Sequence, residues 1–199
     1  MSKVVLDVSV SLDGFTAGPN ARPEEPMGDG GERLHEWMFG KGPDSEVDAG
    51  ARHEMDANVG AAVIGRHTFE LGLGPWGGTP WPGIPSFVVT HRPRQDLPGK
   101  NGGTFAFDGL QGAVRRATQA AGRKDVLVLG ADVARNLIRA DLLDEIRLHL
   151  VPLLLGEGTP LFDGERAGLI SEGKPVVGSV THLRFHVANT ADRVPGTGS

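Results

Sequence analysis

The chain predicts an α/β fold, with apolar strands alternating with helices and an antiparallel hairpin at the C-terminal end. One stretch carries most of this: Val126-Leu127-Val128-Leu129-Gly130-Ala131-Asp132-Val133-Ala134-Arg135-Asn136-Leu137-Ile138. Its four-residue apolar run is a buried strand. Gly130 then turns the chain, and Val133, Leu137 and Ile138 share one helical face. The second observation is that such strand-to-turn junctions recur at Ile64-Gly65-Arg66 and Val89-Thr90-His91. The third is the short link between the last two apolar runs, which suits a hairpin.

In chain order, residues 3–10 are an apolar-rich strand, and a loop rich in Gly, Pro and acids covers 14–31. Residues 32–39 suit a short helix with Leu34, Trp37 and Met38 on one face. A second helix covers 45–58, with Ser45 as N-cap and acids in the first turn. Residues 61–64 form a short buried strand, Gly65 ends it, and 66–73 are helical. Strands follow at 86–90 and 104–107. Residues 110–121 are a helix that Gly122 terminates. After the 126–129 strand a helix runs to about 140, and 145–151 is a strand. Residues 174–180 and 182–187 form the hairpin. No repeat or linker divides residues 1–190, which predict one domain. Residues 191–199 are polar and Gly-rich and predict a frayed tail.

Composition narrows the function classes. The 199 residues suffice for one core without staples. Cysteine is absent, which excludes disulfides, thiolate metal sites and a cysteine nucleophile. A net charge of −5 argues against a nucleic-acid surface. No apolar run approaches the roughly 18 residues that span a bilayer. The chain enters Lys3-Val4-Val5-Leu6 without a leader pattern, so a cytoplasmic protein is expected. The histidines show no metal-ligand spacing, and no metal is expected. His182 and His186 share a strand face, which does not by itself make a site.

The three junctions hold residues suited to a nucleotide. A strand ending in Gly and opening into a helix aims free backbone N–H groups and a positive dipole end at one spot. Gly also admits close approach of a pyrophosphate, Thr offers a hydroxyl, and Arg offers a planar fork for phosphate. Gly at such a junction can equally serve packing, and Arg66 or Arg92 alone could be a surface cation. A cation at a helix start is unfavourable to the dipole, so Arg66 is better explained by an anion.

Five segments together resemble the dihydrofolate-reductase-like superfamily, nearest the riboflavin-biosynthesis reductase family. They are SVSLDGFTAG (9–18), VIGRHTFE (63–70), FVVTHRP (87–93), VLVLGADVARNLI (126–138) and DEIRLHLVPLLLGEGTPLF (144–162). The resemblance implies a three-layer α/β/α fold with a mixed, mostly parallel sheet. It implies NADPH as cofactor and hydride transfer to a small molecule as activity. Gly65, Arg66 and Thr68 would meet the cofactor phosphates. Thr90, His91 and Arg92 would meet the adenosine ribose and its 2′-phosphate. Gly130, Ala131, Asp132 and Val133 would form the pyrophosphate turn. Ala131 departs from the family's commoner Gly-Gly pair and enters positive φ less freely. Asp13, the candidate catalytic residue, and Ala17 fall in the loop beside the nicotinamide. Gly156, Gly158 and Thr159 would wall the substrate pocket.

The resemblance implies as substrate the 5-amino-6-(5-phosphoribosylamino)uracil class. The alternatives are a dihydrofolate or other pterin, or nucleotide or flavin binding without turnover. With no cysteine, the zinc deaminase found beside this reductase in bifunctional proteins is not expected. No counterpart of the folate enzyme's helix carboxylate is evident; Glu32, Glu36 and Asp13 are each within reach. Trp37 is a candidate substrate contact that also fits a core position. Trp76 and Trp81 could stack on a ring or pack a loop. Related reductases pair, so a homodimer is expected. The apolar residues Leu148, Val151, Leu153 and Leu155 suit either a core or that interface.

Overall fold

Alternation along the first strand already separates two faces. In β1 (Val4–Ser11), Val4, Leu6 and Val10 enter one core and Val5 another, because successive strand side chains point to opposite sides. The computed structural model describes residues 2–39, 46–92 and 94–188. It continues with β2 (Phe15–Ala17), a 3-10 helix (Gly31–His35), α1 (Glu46–Asn58), β3 (Val59–Gly65) and α2 (Arg66–Trp76). Then come β4 (Ser86–Val89), β5 (Leu97–Pro98), β6 (Thr104–Asp108), α3 (Leu110–Ala121), β7 (Asp125–Leu129) and α4 (Ala131–Arg139). The chain closes with β8 (Glu145–Val151), β9 (Thr159–Pro160), β10 (Gly168–Ser171), β11 (Val176–Val177) and β12 (Thr181–Ala188).

The main sheet has the order β10-β12-β8-β1-β7-β3-β4-β6-β5, with β11 also on β12. From β8 through β6 all neighbours are parallel. β12 joins β8 antiparallel, as β10 and β11 join β12 and β5 joins β6. The sheet is therefore mixed and mostly parallel. One face buries Leu6, Val63 and Val128 against Ala113, Ala117, Val133 and Leu137 of α3 and α4. The other buries Val5 and Leu127 against Met55 of α1, and Ile64, Val88 and Phe105 against Phe69 of α2. That is a three-layer α/β/α sandwich. Its helices cover both faces because parallel strands need crossovers. Phe105 is 1 % exposed and meets Phe69 edge-on at 4.9 Å. Truncating such a side chain costs roughly 3–5 kcal/mol.

Several local expectations are corrected. The loop expected over 14–31 contains β2, because β9 pairs with it across the chain. The helix expected over 32–39 is only the 3-10 helix Gly31–His35, followed by turns. Gly30 stands at φ 72, and a Cβ on Gly31 would lie 2.7 Å from the Gly18 amide nitrogen, so the entry is too tight for a regular helical start. The hairpin is shorter than expected, with only Val176–Val177 on β12 before a turn closed by the Gly178 amide donating to the Val180 carbonyl. On the same edge β12 also pairs with β10 over four positions, a strand that local pattern did not mark. The run around Leu148–Leu155 packs inward: Leu148 lies against the α3 and α4 core, and Val151, Leu153 and Leu155 against Leu34 and Trp37. The Ser45 N-cap, the domain limit at 190 and the tail 191–199 lie outside the described residues.

Candidate functional site

β7, β3 and β4 are neighbours in the sheet, so their carboxyl ends, and the three junctions, converge. Gly65, at φ −66 and ψ 145, leads directly into α2, with Arg66 as its first residue. Gly130, at φ 106 and ψ 134, leads into α4. Neither helix has a side-chain cap, so their first N–H groups are unsatisfied by the usual means. The two turns touch: a Cβ on Gly130 would stand 2.4 Å from Thr68 Oγ1 and 3.8 Å from the Gly65 nitrogen. Ala131 lies inside α4 and is buried. Only Gly130 takes the left-handed backbone there, so the departure from a Gly-Gly pair is accommodated. Val133 is buried 3.7 Å from the Cβ position of Gly65 and fills the wedge between the two turns. Asp132 is exposed and pairs with Arg135, whose Nη1 donates to the Pro160 carbonyl at 3.1 Å.

At the end of β4, the Thr90 amide donates to the Asp108 carbonyl and Thr90 Oγ1 accepts from the Arg92 amide at 3.0 Å. His91 and Arg92 are exposed. Arg66, Thr90, Arg92 and Arg94 line one cavity of about 140 Å³ together with Phe69 and Phe107. Arg94, which sequence reasoning missed, lies over the Phe107 ring at 4.7 Å. Arg66 also pairs with Glu70 one turn on, at 2.8 Å, which partly offsets its unfavourable place at a helix start.

The remaining predicted residues meet on the far side of Gly130. Asp13 Oδ1 accepts from Ser11 Oγ at 2.5 Å and from the Leu155 amide at 3.2 Å, and Oδ2 from the Gly156 amide at 2.7 Å. The Ser11 hydrogen bond, with those from Gly156 and Leu155, holds the carboxyl below its usual range. Asp13 is thus a charged brace between the β1–β2 turn and the loop after β8, and is poorly suited to donating a proton at neutral pH. Ala17 pairs with Thr159 between β2 and β9. A Cβ on Gly158, at φ +139, would lie 2.1 Å from the Ala17 carbonyl oxygen. Gly156 takes φ 79 with open space around it.

Trp37 is a correction. It is 7 % exposed, packs with Leu34, Val151 and Val180, and donates from Nε1 to Ser9 Oγ at 3.0 Å. Its place is in the core. Trp76 and Trp81 pack against the α2 side of the sheet, and Trp81 Nε1 donates to Asp56.

A second group of polar residues was not anticipated. On β1, β8 and β12 the face towards α1 carries Asp7, Ser9, Glu145, Arg147, His149, His182 and Arg184, held in register. Asp7, Arg147, His149, His182 and Arg184 line a cavity of about 510 Å³. The signal was present as polar residues at 145, 147 and 149 and again at 182, 184 and 186, a period of two that places each set on one face. Among the described residues, no group of three or more His, Cys, Asp or Glu is arranged to hold a metal ion.

The fold is that of a dihydrofolate-reductase-like domain. The chain belongs to the RibD C-terminal domain family, whose model matches residues 2–184. It is 26% identical over 160 residues to YwjB of Bacillus subtilis (strain 168), an uncharacterized protein, covering 80% of this chain and 82% of that one. A putative riboflavin biosynthesis protein from Shewanella sp. PV-4 superposes with a TM-score of 0.68 at 23% identity, covering 95% of this chain and 100% of that one. A diaminohydroxyphosphoribosylaminopyrimidine deaminase/5-amino-6-(5-phosphoribosylamino)uracil reductase from Thermotoga maritima superposes at 0.62 with 14% identity, covering 94% of this chain and 57% of that one. Among the described residues no helix is long and apolar enough to cross a membrane.

Proposed function

We propose that the chain is an NADPH-dependent reductase acting on a small heterocyclic substrate. The observation that carries this is the meeting of two uncapped helix starts at Gly65 and Gly130, packed so closely that a methyl on Gly130 would stand 2.4 Å from Thr68 Oγ1. Such a cradle of backbone N–H groups suits a pyrophosphate. The cavity lined by Arg66, Arg92 and Arg94, with the Thr90 hydroxyl, supports a 2′-phosphate there. Bound nicotinamide supplies the hydride. The Gly130, Thr68 and Gly65 turn orients the phosphates, and Asp13 holds the Leu155–Gly156 backbone so that Gly156, Gly158 and Thr159 wall the pocket beside Ala17.

Membership of the family supports, as substrate, the 5-amino-6-(5-phosphoribosylamino)uracil class. We further propose a cytoplasmic homodimer. Leu169 and Ile170 on the edge strand β10, with Val176 and Val177 on β11, are 45–69 % exposed, and an apolar sheet edge of this kind is covered by pairing.

Calorimetric titration with NADPH and with NADH tests the cofactor, repeated on Arg92→Ala. Tight NADPH binding, weaker NADH binding and a loss of roughly 10- to 100-fold confined to NADPH are expected from one charge-assisted contact. Absence of binding by both nucleotides overturns the reading. NADPH oxidation with 5-amino-6-(5-phosphoribosylamino)uracil and with dihydrofolate then separates the substrate classes.

A further inference from the structure

Three hydrogen bonds join four buried side chains in a row. Asp7 Oδ1 meets His149 Nε2 at 2.9 Å, His149 Nδ1 meets His182 Nδ1 at 2.7 Å, and His182 Nε2 meets Asp48 Oδ1 at 2.8 Å. None of the four side chains is more than 10 % exposed. The row draws on β1, β8, β12 and α1, so only the folded sheet assembles it.

The number of protons in the row follows from valence. Each hydrogen bond holds one proton, so three bonds hold three. An ionised carboxylate only accepts, so each Nε2 carries a hydrogen. The bond between the two Nδ1 atoms needs a third, which makes one ring an imidazolium. The row then has two carboxylates, one cation and a net charge of −1. With two protons, two nitrogen lone pairs would face each other at 2.7 Å; with four, two N–H groups would. The third proton can sit on His182, beside Asp48, or on His149, beside Asp7.

The two ends differ. Asp48 is closed, because its Oδ2 also accepts from the Ser179 amide at 2.9 Å and Ser179 Oγ at 2.6 Å. Among the described residues Asp7 Oδ2 makes no hydrogen bond, and Asp7 lines the cavity of about 510 Å³, a volume suited to a small ligand. Glu54, Glu172 and Lys174 also line the cavity, and further charged groups face the row. Arg147 of β8 is bonded to Glu145 and Asp125. Arg184 of β12 is bonded to Glu54 of α1. His35 of the 3-10 helix is pushed down to about 4 by burial and by His149, so it stays neutral. Trp37 packs on both rings, at 4.5 and 5.2 Å. Burial pushes His182 down despite Asp48.

We propose that Asp7, His149, His182 and Asp48 form an acid–base chain serving this cavity, with Asp7 passing one proton to a ring nitrogen or carbonyl oxygen of a small heterocycle bound there. The His149 Nε2 proton moves to Asp7 Oδ1, and the carboxylic acid so formed turns its O–H to the ligand and delivers that proton, which leaves Asp7 ionised again. The ligand gains a proton and one positive charge. The chain falls from three protons to two, from −1 to −2, and water restores the third. The proposal goes beyond the reductase reading, since none of the residues assigned to the hydride site lines this cavity.

The test is nuclear magnetic resonance of the full chain labelled with ¹⁵N-histidine, without cofactor. Coupling across the hydrogen bond between His149 Nδ1 and His182 Nδ1, with one proton shared between them near neutral pH, is expected. Exchange of that proton with water is expected to slow at least tenfold in Asp7→Asn, to recover in Asp7→Glu, and to change less than twofold in Ser179→Ala. Two bare Nδ1 atoms in the wild type overturn the chain without any variant. Unchanged exchange in Asp7→Asn, with its amide spectrum intact, overturns the role of Asp7. Because no cofactor is present, failure here leaves NADPH binding standing, and failure of NADPH to bind leaves the proton count standing.

Discussion

Replacing Gly130 by Ala places one methyl in two unfavourable relations at once. The backbone at φ 106 and ψ 134 lies where residues with a Cβ are strained, at about 1–3 kcal/mol. The methyl would also sit 2.4 Å from Thr68 Oγ1, and turning Thr68 away from a staggered rotamer costs about 0.5–1.5 kcal/mol. The sum, about 1.5–4.5 kcal/mol, is a large share of the roughly 5–15 kcal/mol that holds a domain together. The two contributions can be separated. Thr68→Ala removes Oγ1 and leaves Cβ at 3.4 Å as the nearest Thr68 atom. In that background the cost of Gly130→Ala should fall by about 0.5–1.5 kcal/mol, leaving the backbone strain. Urea unfolding of the wild type, both single variants and the double variant measures this, with tryptophan fluorescence as the probe. A Gly130→Ala cost below about 0.5 kcal/mol, within the range of an ordinary surface change, refutes the strain argument. An equal cost in both backgrounds refutes the steric one. NADPH affinity should fall in both Gly130→Ala proteins, since the methyl enters the proposed phosphate cradle.

Three further outcomes are expected. His35 titrates near 4 when folded against 6.5 unfolded, so the unfolded chain takes the proton first. Its contribution is complete above pH 6.5 and is lost as pH falls towards 4, by on the order of 3 kcal/mol. His35→Phe should flatten the stability–pH curve in that window, and a curve parallel to wild type contradicts this. Asp13→Ala should speed hydrogen exchange at the Leu155 and Gly156 amides and leave the β7 amides unchanged; uniform exchange across both regions argues against the brace. In sedimentation at micromolar concentration the wild type should run as a dimer and Ile170→Asp as a monomer. A monomeric wild type removes the proposed pairing.

Much of the fold was legible where the local signal is dense. The helix at 110–121 and the strand at 145–151 appear in the structure as Leu110–Ala121 and Glu145–Val151. Both carry unambiguous periodicity, and Gly stops the helix. Legibility failed where structure depends on a distant partner. β2 and β9 are three and two residues long and exist because they pair with each other. Local pattern left Trp37 between a core and a substrate position; Ser9 and the two histidines over which it packs, which decide the matter, lie on strands distant in sequence.

By itself the sequence determined the alternation of strands and helices, the Gly and Thr residues at three strand ends, and the family those residues resemble. These follow from local backbone preference and side-chain period, which neighbours along the chain set. Only the tertiary structure decided that β7, β3 and β4 lie side by side, so that Gly65, Thr68 and Gly130 touch and Arg94 joins Arg66 and Arg92. Only register across β1, β8 and β12 brought Asp7, His149, His182 and Asp48 into one row. Residues 7 and 182 lie far apart along the chain, and their meeting depends on strand order and pairing, which the packing of the whole sheet settles at once.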